Sequence, residues 1–169
     1  MPTSDGISDA DWAILVSRIA DIVNVHEQAN EQSIEAPDTT LLTGVLMRYL
    51  RQLEDKYGRL ASLVETQADF SDDRRDQLML HREAYAAALE QRDHYYLTAA
   101  SKSLAALYLQ PVDPTPDSGE EIKASVDIEK GRFWLEKFSD HMKYCSDDLD
   151  HQDYDEMTKR LDDLSKTQT

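Results

Sequence analysis

Apolar residues at Leu42, Leu46, Tyr49, Leu53, Tyr57, Leu60 and Val64 follow one another at spacings of four, three, four, four, three and four. That rhythm keeps a single stripe on one side of a helix for about six turns. It predicts one long helix over residues 41–64, the central element onto which the others pack. Ahead of it, Trp12, Leu15, Val16, Ile19, Ile22 and Val23 predict a first helix over residues 9–25, with Ser8 as its N-cap and Asp9 and Asp11 in the first turn. Residues 1–8 read as a frayed N-terminus. The polar stretch NEQSIEAPDTT reads as a connection, and Thr39 or Thr40 as the cap of the central helix.

Beyond the stripe, residues 68–73 form a break, and Ser71 is the expected cap of a third helix reaching Gln91 through Leu78, Leu80, Ala84, Tyr85, Ala88 and Leu89. The phase of the apolar positions shifts between Leu89 and Tyr95, which predicts a turn at Arg92, Asp93 and His94. An alanine-rich helix over residues 95–109 follows. Pro111, Pro114 and Pro116 make residues 110–119 an internal Pro-rich linker, because proline lacks the helical donor and restricts the residue before it. Phe133, Trp134, Leu135, Phe138, Met142 and Cys145 predict the next helix, with Gly131 marking a kink or a break. Tyr154, Met157, Leu161 and Leu164 predict a last one over residues 151–164, before a frayed end at 165–169. The fold class is therefore all-α: a single-domain helical bundle of five or six helices with one long central helix, spanning residues 1–169.

Composition sharpens this picture. A chain of 169 residues with 40% hydrophobic content can bury a core without staples. Cys145 is the sole cysteine, which rules out an intrachain disulfide and a multi-cysteine zinc site. No signal-peptide pattern and no apolar run of about 20 residues is visible, so a cytoplasmic protein is expected. The formal charge of −16 changes the functional reading most. It argues against direct binding to nucleic acid or anionic membrane, both polyanions. A basic partner, nucleic-acid charge mimicry, plain solubility and adaptation to high salt all fit it. Aspartate far outnumbers lysine, 22 against 8.

The acids gather at the two ends of the chain. Residues 1–47 carry eight against the single base Arg18. Asp147, Asp148, Asp150, Asp153, Asp155 and Glu156 place six within ten residues, with no lysine or arginine from 144 to 158. Those six are the candidate partner-binding residues, where charge would raise association rate and select a basic surface. A calcium loop starting at Asp148 fails, because Asp153 stands where glycine is required and Lys159 where the bidentate glutamate belongs. The Glu-x-x-His pairs of helical di-iron proteins are missing. His141 and Cys145 share a helical face, but Cys145 continues the apolar seam. No metal site, no cofactor and no catalytic residue is therefore assigned.

Two local resemblances stand beside this reading. Residues 87–111, AALEQRDHYYLTAASKSLAALYLQP, resemble a tetratricopeptide hairpin, which implies a helical scaffold or adaptor. Arg75-Asp76, four further residues and His81 resemble the Arg-polar-x4-His signature of HEPN ribonucleases, which implies RNA cleavage by Arg75 and His81 of paired subunits. The expected function is a non-enzymatic acidic binding protein that neutralises or escorts a basic protein partner. Its most concrete form is an immunity protein or antitoxin against a bacterial toxin. The adaptor and the HEPN-like ribonuclease are the alternatives, and a homodimer is compatible with each.

Overall fold

The computed structural model describes residues 6–31, 37–111, 126–145 and 147–167. Among the described residues the chain forms seven helices and no strand. They are α1 (Asp9–Glu31), α2 (Thr40–Tyr57), α3 (Ala61–Asp69), α4 (Arg74–Gln91), α5 (His94–Leu109), α6 (Ile128–Met142) and α7 (Asp148–Thr167). None is long and apolar enough to cross a membrane. The linker expected at 110–119 lies outside the described residues apart from Gln110 and Pro111.

The long central helix is not formed. Its stripe is real, but Gly58 breaks it with φ +85° and ψ −177°, a conformation reserved for glycine. The chain turns through Arg59 and Leu60 and restarts as α3, so one predicted helix becomes two. That division raises the count from the expected five or six to seven. Hydrophobic spacing survived the break because both halves bury the same side: Leu46, Leu50 and Leu53 from α2, then Leu63 from α3, share one cluster with Leu15 and Ile22 of α1.

Side chains set the helix ends. Ser8 caps α1 as expected, its Oγ accepting from the Asp11 N–H at 3.2 Å. Thr39 takes the N-cap position of α2, one of the two expected, but makes no side-chain cap hydrogen bond; Asp38 beside it accepts from the Thr40 N–H at 2.9 Å. Asp73, not Ser71, caps α4 through the Asp76 N–H. Asp93 and Asp127 cap α5 and α6, and Asp147 accepts from the Asp150 N–H at 2.9 Å at the head of α7. Several of the surplus aspartates thus satisfy orphan helix donors, each worth about 1 kcal/mol. The turn at 92–94 is present, with Arg92 left-handed at φ 54°.

Two larger apolar clusters flank a seam of small residues. One joins α1, α2 and α3, and buries Ile7 at 1% exposure, so this part of the expected N-terminal fray is core. The other joins α5, α6 and α7 around Leu109, Leu135, Phe138, Met142 and Leu161. Between them α3, α4 and α5 meet through Ala61, Val64, Ala84, Ala88, Leu97 and Ala100. Gly131 does not end α6, which runs through it: a Cβ there would lie 2.5 Å from Leu109 Cδ2, so glycine lets α6 approach α5 closely. Among the described residues α1 packs on α2 and makes no packing contact with α7, so the acids of these two helices do not merge into one face.

Candidate functional site

The six acids singled out from the sequence divide by role. Asp147 is the cap of α7. Asp150 and Asp153 lie on the side of α7 that faces α5, where Lys102 Nζ meets them at 2.8 and 3.2 Å. Lys102 is partly buried. Its pairing with both carboxylates outweighs that burial and holds its pKa above the usual lysine value. Those two acids therefore fasten α7 to α5. Asp148, Asp155 and Glu156 are exposed and make no ion pair among the described residues.

Two exposed apolar side chains lie near the start of α7, where Leu149 adjoins Asp148 in sequence. At the α6–α7 corner Tyr144 is 70% and Leu149 65% exposed. Tyr144 stacks on His94 with ring centroids 4.4 Å apart, which holds its ring in place while leaving it open to solvent. Farther along α7, a groove of about 440 Å³ runs between α5 and α7, lined by Lys102, Ala106, Leu109, Glu156, Met157 and Arg160.

A second constellation lies in the alanine seam, and sequence reasoning missed it. Glu65 and His81 are 5% and 3% exposed, and His81 Nδ1 donates to Glu65 Oε2 at 3.0 Å. Ser103 Oγ of α5 reaches Glu65 Oε1 at 3.5 Å. Asp69, one turn beyond Glu65 on α3, belongs to an exposed position, yet its carboxylate converges with the other two groups within 4.8 Å. Loss of hydration and the charge of Glu65 push the Asp69 carboxyl up to about 6, against the opposing pull of His81 and Lys102. The signal was available: Glu65 directly follows Val64 on the stripe, and His81 stands three and seven residues ahead of the buried Ala84 and Ala88. A polar residue in register with the core invites the question of its partner.

The other pairs weighed from sequence do not assemble. Arg75 is exposed on α4 while His81 is buried, and six residues of helix set them about 120° apart around its axis. The arginines beside them serve structural ends: Arg74 donates to the carbonyls of Leu107 and Gln110 at the end of α5, and Arg82 donates to the Tyr108 hydroxyl. His141 hydrogen-bonds the Tyr85 hydroxyl at 2.9 Å, and burial together with nearby His94 lowers its pKa. Comparison with known protein families, with curated proteins and with solved structures finds no match for this chain.

Proposed function

We propose that this chain is a non-enzymatic binding protein that engages a basic protein surface through the α6–α7 corner and the outer face of α7. The observation that carries the reading is the neighbourhood itself. Exposed Tyr144 and Leu149 flank the start of α7 with Asp148, and Asp155 and Glu156 follow about two turns further along that helix, none of the three acids in an ion pair among the described residues. Charge of one sign steers encounter and selects the partner, whereas rim charges alone add little affinity. An aromatic anchor supplies what the field lacks. A cytoplasmic antitoxin or immunity protein against a basic toxin is the specific form this reading takes.

The test begins with capture of the tagged protein's partner from its own host across a salt series. The kinetics of the purified pair are then compared between wild type, a D148K/D155K/E156K variant and Tyr144→Ala. We expect the charge reversal to slow association by about tenfold or more at low salt, and Tyr144→Ala to speed dissociation. The reading fails if the captured protein is not basic, or if its association is indifferent to both salt and charge reversal. Binding with no salt dependence in the α5–α7 groove would instead favour the adaptor alternative.

A further inference from the structure

We propose that Glu65, Asp69 and His81 bind a divalent transition-metal ion of the class of zinc and manganese. The three side chains come from two helices, α3 and α4, and their ligand atoms all lie within 4.8 Å of one another. Two carboxylates and one imidazole are ligands that such ions accept. The His81 Nδ1 and Glu65 Oε2 atoms, now hydrogen-bonded at 3.0 Å, need separate by only a few tenths of an ångström to reach the roughly 3.3–3.6 Å between two ligands about 2.0–2.2 Å from a tetrahedral zinc ion. A dication would also offset the two carboxylate charges that α3 holds one turn apart. Among the described residues no lysine or arginine pairs with either carboxylate, and Lys102 of α5 is held by Asp150 and Asp153.

The surroundings complete a site. Ser103 approaches the far oxygen of Glu65, giving that ligand an outer partner that fixes its orientation. On the other side Asp69 lines a groove of about 310 Å³ that also includes His26, Glu27, Thr39 and Asp72. The groove gives an ion a path from solvent and leaves a coordination position open beside Asp69, while Glu65 and His81 close the inner side. Glu65 and Asp69 stand at i and i+4, so the α-helix itself sets their spacing.

The experiment uses the full chain, stripped with a chelator and dialysed against Zn²⁺ or Mn²⁺, with bound metal measured by elemental analysis. Thermal unfolding is recorded with and without the ion. One ion per chain and a raised Tm are expected. Asp69→Asn, at the exposed rim, should keep the helical circular dichroism and lose at least about tenfold in affinity, by analogy with losses seen on perturbing metal sites. His81→Gln should abolish binding, and a Co²⁺-loaded wild type should show visible absorption that this variant lacks. A D148N/D155N variant separates the site from weak attraction to the acidic surface and should bind like wild type. Absence of stoichiometric binding, or unchanged affinity in Asp69→Asn, overturns the proposal.

Discussion

At the scale of single residues, Asp11 shows how one acid can be structural in a chain that has many to spare. Its carboxylate accepts from Lys56 Nζ at 2.7 Å, from the Tyr57 hydroxyl and from Ser8 Oγ, tying the head of α1 to the end of α2. These bonds, that of Lys56 foremost, hold its pKa well below the usual carboxylate range. A depressed native pKa means that the unfolded chain takes up the proton first as pH falls. The stabilisation is therefore complete above about pH 4 and lost progressively below it. Asp11→Asn should be less stable than wild type at pH 7, with the difference shrinking as denaturation is repeated below about pH 4. A constant difference across that range would place the role of Asp11 elsewhere. Glu65 and His81 make the complementary case: two polar groups in register with the core, whose pairing only the fold reveals.

At the scale of elements, the α2–α3 break is the decisive departure from the hydrophobic pattern. Periodicity reports which side of a helix is buried; it does not report whether the backbone continues, because a turn that preserves the buried side leaves the spacing nearly unchanged. Gly58 was the local sign of the break, and its meaning lay in a dihedral angle. Gly58→Ala should destabilise the protein by about 1–3 kcal/mol, since an L-residue is strained at φ +85° and ψ −177°. Chemical denaturation measures this directly. An unchanged midpoint would mean that α2 and α3 can fuse into the continuous helix that the stripe suggests. The same comparison explains Gly131 in reverse: its position in sequence hinted at an interruption, whereas tertiary packing uses its missing side chain to bring α6 against Leu109.

At the scale of the whole molecule, the helices pack largely in chain order. Among the described residues the backbone of α1 comes close to that of α2 alone and reaches α3 only through side chains, while α5 lies against α3, α4, α6 and α7. Stability should follow that arrangement, because units joined by fewer contacts open first. In native-state hydrogen exchange the amides of α1 should exchange faster than those of α5 and α6, through an opening that leaves the α5–α6–α7 cluster intact. Equal protection throughout would show instead that the two large clusters unfold as one. The centre formed by Glu65, Asp69 and His81 lies in the seam between those clusters, so an ion bound there would stabilise the joint between them.

The sequence by itself determined the helical class, most helix positions, the turn before α5, the Ser8 cap and the surplus of negative charge. These follow from local rules: 3.6-residue periodicity, the chemistry of helix ends and a count of charged side chains. Only the tertiary structure decided that the central stripe spans two helices and that Asp150 and Asp153 hold Lys102 while Asp148, Asp155 and Glu156 make no ion pair among the described residues. It alone brought Glu65 and Asp69 to His81 across a helix pair. Each of these depends on which helix faces are turned toward one another. Such facing is fixed by contacts between residues far apart in the chain, and no local spacing encodes it.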